Sequence, residues 1–265
     1  MSELTEIAHL IDRPVWAVSG AIREQHQDLP VASALAADTF GPLINLLPFR
    51  NQLTEPLILR RYIYRDPDVM KSFTDDLVGA DLFERTGDNL SPTPTVKALA
   101  AEVSSAVDAV CLDLWGADRA VVDTVSEMAR TVLDTATDRH GLVGLAQEIV
   151  EPDDALHRLW WRLTALRLVR NEAHVTAWTN VGLTASDVEV LTSAWAGTSL
   201  QSERSPSEEL ESRGWFLDGS VTEEGLHIRQ LIEDGTDDLV REALTAVDSA
   251  AFLALLTELS PLEQP

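Results

Sequence analysis

The chain has little with which to cross-link itself or hold a soft metal. Its 265 residues include one cysteine, Cys111, in an apolar helical run. No internal disulfide and no thiolate metal cluster is therefore available. Basic residues are also scarce: 20 Lys and Arg face 44 Asp and Glu, a net charge of −24. A field of that sign repels nucleic acid and anionic membrane surfaces at long range. No stretch reaches the ~18 uncharged apolar residues of a membrane span. The first residues, MSELTEIAHLIDR, lack a basic segment followed by an apolar one. The expectation is a cytoplasmic protein with no membrane contact. Glycine-rich phosphate loops, GxSxG and HExxH are all missing, so no cofactor and no metal is expected.

A hydrophobic content of 45% supports a real core, and most of the chain reads as helix. TVKALAAEVSSAVDAVCLDLW repeats apolar residues every three or four positions from Val96 to Trp115, and Gly116 stops it. DRAVVDTVSEMARTVLDTA follows, with Asp118 as its cap and its end before Gly141. EPDDALHRLWWRLTALRLVRNEAHVTAW is a third helix, with Pro152 and acids in its first turn. Thr184 and Asp187 then form a variant of the capping box.

Two stretches break this pattern and resemble each other: 77–99, with Leu82-Phe83, a Thr86-Gly87-Asp88-Asn89 turn and Leu90-Ser91, and 210–232, with Trp215-Phe216, an Asp218-Gly219-Ser220 turn and Val221-Thr222. A short strand, an Asp/Gly turn and a second short strand signal a hairpin. TEPLILRRYIY and DPDVMKSFTDDL supply two helices before the first hairpin; TASDVEVLTSAW and SPSEELESR supply them before the second. The fold class is thus mainly α, with two winged-helix-like units joined by long helices. The boundaries fall at 1–110 for the first unit, 111–178 for connecting helices, and 179–265 for the second unit with its terminal helix. AFLALLTEL near the C-terminus is apolar enough to pack on the body or on a second copy, which leaves a homodimer open.

At VRNEAHVTAWTNVGLTASDVEVL and RGWFLDGSVTEEGLHIRQLIEDGTDDL the chain resembles a group of actinobacterial helix-turn-helix proteins called SalK-like. That group has an Arg-x-Asp-x-His run before the unit; here it is Arg170, Glu172 and His174, with Glu for Asp. An alcohol, two residues and a glycine follow the unit, matched by Thr222 to Gly225. The likeness covers the C-terminal half alone and implies fold more than function.

A helix-turn-helix invites a DNA reading, and charge tests it. The first recognition helix, 66–76, has Asp66, Asp68, Asp75 and Asp76 against Lys71, a sum of −3. The second, 204–213, has Glu208, Glu209 and Glu211 against Arg204 and Arg213, a sum of −1. Phosphate contacts supply essentially all non-specific affinity, so nucleic acid is a poor partner, unless Arg60 and Arg61 form a basic patch.

The third helix presents a polar puzzle. At about 100° per residue from Leu156, the apolar sector holds Leu159, Trp160, Leu163, Ala177 and Trp178. Arg167 falls at about 20°, Arg170 at about 320° and His174 at about 0°, within that sector; Asn171 lies at its margin and Glu172 points away. Guanidinium groups so placed need an anionic counterpart. Either acids elsewhere in the chain reach in as an internal ion-pair network, or Arg167 and Arg170 clamp a carboxylate or phosphate. In the second case His174 donates or transfers a proton and Trp160 and Trp178 form an apolar wall. His140 and His157 have no partner at zinc spacing and read as surface residues at helix ends.

The leading expectation is a tandem winged-helix-like protein that binds a small anionic or aromatic molecule between its two units. Arg167, Arg170, Asn171, His174, Trp160 and Trp178 are its contacts, with His174 the catalytic group if it has chemistry. The rivals are a ligand-responsive transcription regulator that binds DNA as a dimer, and a scaffold.

Overall fold

The computed structural model describes residues 3–25, 40–51, 53–116, 119–136, 141–147, 151–198 and 207–259. Asp118, His140, Arg204 and the start of SPSEELESR lie outside them. The chain divides into two compact units, 1–169 with 242–265, and 170–241.

The first unit opens with α1 (Glu3–Gln25) and α2 (Phe40–Leu46), followed by a 3-10 turn, Leu47–Phe49. The winged motif comes next. Thr54 caps α3 (Glu55–Arg61) by accepting from the Leu57 amide, and Asp66 caps α4 (Pro67–Gly79) by accepting from Asp68. A proline inside each first turn costs nothing there, because that N–H has no helical partner. β1 (Phe83–Thr86) pairs antiparallel with β2 (Asn89–Pro92), Thr86 facing Asn89. Gly87 takes φ 59°, the left-handed first position of a glycine-led two-residue turn. The segment before α3 adds a third edge: Leu90 N–H donates to Leu53 O at 3.0 Å, and Thr54 bridges Asn89.

From the wing the chain enters α5 (Pro94–Trp115), capped by Thr93, then α6 (Arg119–Thr135) and α7 (Gly141–Gln147). α8 (Ala155–Asn180) begins three residues after Pro152 rather than on it. Asp154 caps it, accepting from the Leu156 and His157 amides at 2.9 and 3.0 Å. The C-terminal helix α12 (Ser249–Leu259) packs on α1 and α6 of this unit through buried Phe252, Leu256 and Leu259.

The second unit holds the end of α8, then α9 (Ala185–Trp195), α10 (Glu208–Ser212), β3 (Phe216–Leu217), β4 (Ser220–Val221) and most of α11 (Glu223–Leu244). Thr184 and Asp187 form the full reciprocal capping box of α9. Asp218 (φ 50°) and Gly219 (φ 80°) both sit in the left-handed region, which makes the β3–β4 connection a type I′ turn. Thr222 Oγ1 accepts from the Gly225 amide and donates to Gly214 O at 2.9 Å. A Cβ on Gly225 would lie 2.4 Å from Trp215 O. The alcohol, two residues and glycine are therefore a helix cap plus a backbone approach that only glycine permits. Both halves of the architecture are winged-helix-like, as the hairpin signals predict, and the chain is mainly helical.

Candidate functional site

The DNA-facing elements come first. On α4 the exposed positions are Pro67, Asp68, Val69, Lys71, Ser72, Asp75, Asp76 and Gly79. Met70, Phe73 and Leu77 face the core, so the acids are held outward by the helix's own amphipathic period. Arg85, the cation of the wing, is already engaged. Its Nε meets Glu55 at 2.6 Å, its Nη1 meets Asp75 at 2.6 Å, and Nη2 donates to Thr74 at 3.1 Å. Arg61 stands over the rings of Phe49 and Tyr62, 5.6 and 5.7 Å from their centroids. In the second unit α10 has five described residues, three of them Glu208, Glu209 and Glu211. Arg213 caps its end, bonded to Glu209 at 2.6 Å and stacked 4.8 Å over Trp215.

The six residues singled out on α8 have different surroundings. Arg167, in the first unit, is half-buried. Its Nε donates to Asp12 and its guanidinium covers the Trp16 ring at 4.5 Å. Trp160 is buried and its indole N–H reaches Val15 O at 3.4 Å. Arg170, Asn171, His174 and Trp178 belong to the second unit. Arg170 is half-buried and donates to Glu233 Oε2 at 2.6 Å. Glu233 is itself buried, and its Oε1 meets Arg229 at 2.6 Å and His174 Nδ1 at 3.8 Å. Asn171 is half-buried and Trp178 is buried in the core. Arg167 and Arg170 thus both have carboxylate partners within the protein.

His174 sits at the centre of the second unit's polar cluster. Thr236 Oγ1 donates its one proton to Ile232 O at 2.7 Å, so at the 3.0 Å contact His174 Nδ1 must be the donor. Burial pushes the imidazole pKa down to about 4; Glu233 opposes this, while Arg229 and Arg170 add to it. Burial raises the Glu233 carboxyl, but Arg229 and Arg170 outweigh it and hold it below the usual range. The resting cluster is a neutral imidazole beside an ionised carboxylate between two guanidinium groups.

Two groups, Arg162 and the α11 cluster, are not apparent from the sequence, and a third, His157, is placed differently by the structure. Arg162, at about 240° on the same helical wheel, is the buried guanidinium of α8. It donates to both oxygens of Glu151, at 2.8 and 2.7 Å, and to Glu127 and Ser126. His157 is buried, correcting its assignment to the surface. The Trp161 indole can only donate, so at 2.7 Å His157 Nε2 must be the acceptor, and Nδ1–H then donates to Asp108 at 2.7 Å. Burial lowers this imidazole's pKa despite Asp108. On α11, buried Arg229, Ile232, Glu233, Thr236 and Val240 recur at three- and four-residue spacing. That period was the available signal for the Glu233 cluster. Among the described residues no group of three or more His, Cys, Asp or Glu is arranged to hold a metal, and no helix is long and apolar enough to cross a membrane.

No curated protein and no solved structure matches the chain. Residues 117–265, from α6 through the second winged motif to the C-terminus, match the profile of a helix-turn-helix family. With more than half of its length in that match, the chain belongs to the helix-turn-helix family.

Proposed function

We propose that this chain is a small-molecule-binding member of the helix-turn-helix family whose recognition helices do not grip duplex DNA. The observation behind this reading is the occupied and acidic state of the surfaces that would meet phosphates. α4 turns Asp68, Asp75 and Asp76 outward, and Arg85 is bound to Glu55 and Asp75. A phosphate would have to displace two carboxylates to use the wing, against a net charge of −24. The Arg167 and Arg170 pairs with Asp12 and Glu233 support an internal ion-pair role for these cations, because an incoming anion would have to replace a carboxylate already in place. Arg170 and His174 of the SalK-like run then belong to a structural cluster of the second unit around Glu233.

The second reading, a regulator that binds DNA as a dimer, is favoured by family membership. Fluorescence polarisation with a random-sequence duplex at low salt separates the two. The proposal expects no binding that weakens with added salt; salt-sensitive binding would replace it with the regulator reading. In parallel, a thermal-shift panel of small carboxylates and phosphates is expected to raise Tm with at least one compound. A panel without a stabilising compound counts against any ligand role.

A further inference from the structure

A cleft of about 310 Å³ opens within the first unit, at the lower end of the size range of ligand pockets. Its walls are the 3-10 turn and the residues just after it, one face of α5, and the first turns of α8. No part of the polar face discussed above lines it except Trp160. At ~30 Å³ per molecule it would hold about ten waters.

Three features give the cleft a chemical preference. The first is an aromatic shelf. Trp161 stacks on Phe49 with ring centroids 6.4 Å apart and planes 29° from parallel. Phe49 is held from another side by Arg61, and the Trp161 ring is held by its N–H bond to His157, which Asp108 holds in turn. The floor is therefore preorganised, which spares a ligand the cost of ordering it. The second is charge. Arg50 and Lys97 both line the cleft, and neither meets a carboxylate among the described residues. Among the described residues Arg50 donates to the neutral Leu47 carbonyl, at 2.8 Å. The third is the state of Glu151, the one acid among the described residues of the lining. Both oxygens of Glu151 accept from Arg162, and one also accepts from Arg130 at 3.3 Å. The cleft's negative charge is thus consumed by cations behind the wall, while its positive charges remain available. In a chain with more than twice as many acids as bases, that local inversion of sign favours an anion over a cation in the cleft.

We propose that this cleft binds a small planar aromatic carboxylate, its ring against Trp161, which buried Phe49 backs, and its carboxylate between Arg50 and Lys97. The assignment rests on the small-molecule reading above and gives it a site and a ligand class. His157 acts as a positioning residue, because both its ring nitrogens are engaged in holding Trp161. A carboxylate between two cations in a half-enclosed cleft gains both Coulombic energy and hydrogen bonds, and the uncharged analogue loses both.

The test uses 1-naphthoate and its neutral twin, 1-naphthamide, with the full chain. The chain has only two lysines, Lys71 on α4 and Lys97 in the cleft, so each reports by mass spectrometry on its own acetylation. We expect 1-naphthoate to raise Tm and to slow acetylation of Lys97 but not of Lys71. The amide should bind about tenfold or more weakly, the equivalent of one lost charge-assisted contact. Lys97→Gln should weaken naphthoate binding by a similar factor, whereas Arg170→Gln should not change it. Lys97 is exposed, so its replacement leaves the fold intact even where Arg50→Gln would not. Failure of naphthoate to bind, equal binding of the amide, or binding with Lys97 unprotected overturns the assignment. If another compound from the wider panel stabilises the chain in that event, the small-molecule reading stands and only the site falls.

Discussion

Burial holds His174 neutral. Its Nδ1–H is committed to Thr236, and two guanidinium groups share the Glu233 carboxylate beside it. Folding moves its pKa from the ordinary 6.5 to about 4. Above 6.5 both folded and unfolded chains hold the ring neutral, and it contributes nothing to pH dependence. As pH falls through 6.5 the unfolded chain takes up a proton that the folded chain refuses. Stability is then lost down to pH about 4, by about 3 kcal/mol if the whole displacement is realised. Glu233, also displaced downward, adds a loss of the same sign in the acid range. His174→Asn, which keeps a donor at the Nδ1 position and cannot titrate, should flatten the fall in urea-unfolding free energy between pH 6.5 and 4. An unchanged pH profile would mean that the imidazole is already solvated. Cys111 illustrates the same physics without function: burial pushes its thiol far above the usual range, so it is an inert core residue.

At the scale of elements, two glycines in helices predict opposite outcomes for one substitution. Gly225, in the first turn of α11, has the Trp215 carbonyl 2.4 Å from where a Cβ would stand, and backbone cannot step aside. Gly225→Ala should cost about 2 kcal/mol or more and loosen the hairpin from the helix. For Gly20 in α1, no atom of the described residues lies within 4 Å of where a Cβ would stand. Gly20→Ala should therefore stabilise the chain by about 0.5–1 kcal/mol through helix propensity alone. Paired denaturant titrations check the signs; a stabilising Gly225→Ala would refute the close approach. These elements also explain what could be read in advance. α5, α6 and the two hairpins were legible because each has one buried face and clear turn residues at its ends. α8 was legible as a helix, and the apolar sector read from it, Leu156, Leu159, Trp160, Leu163, Ala177 and Trp178, is buried together with His174; what the wheel missed is that other faces are buried as well. From Leu156 to Leu168 it buries residues around most of its circumference, so a single-face wheel placed Arg167 inward and left Arg162 unnoticed. The cleft was illegible for a different reason. Arg50, Lys97 and Trp161 lie on three separate segments, and no local period links them.

For the whole molecule, the charge imbalance is larger than any individual ion pair. Exposed pairs such as Arg241–Asp238, Arg130–Asp134 and Arg213–Glu209 contribute a few tenths of a kcal/mol each. The buried guanidinium groups Arg162 and Arg229 are shielded from bulk ions and change little with salt. The remaining acids, more than twenty in excess, repel one another across the surface and oppose compactness. Added salt therefore removes more repulsion than attraction. Raising NaCl from about 20 mM to about 500 mM shortens the screening length from roughly 20 Å to under 5 Å, which damps repulsion between all but adjacent charges. Tm should rise across that range, most steeply at the low end where the screening length changes fastest. Scanning calorimetry at fixed pH 7, away from the titration of His174, measures this directly. A Tm that falls with salt would mean that the exposed ion pairs outweigh the repulsion, and that the acids are clustered against cations more tightly than the pairs described here allow.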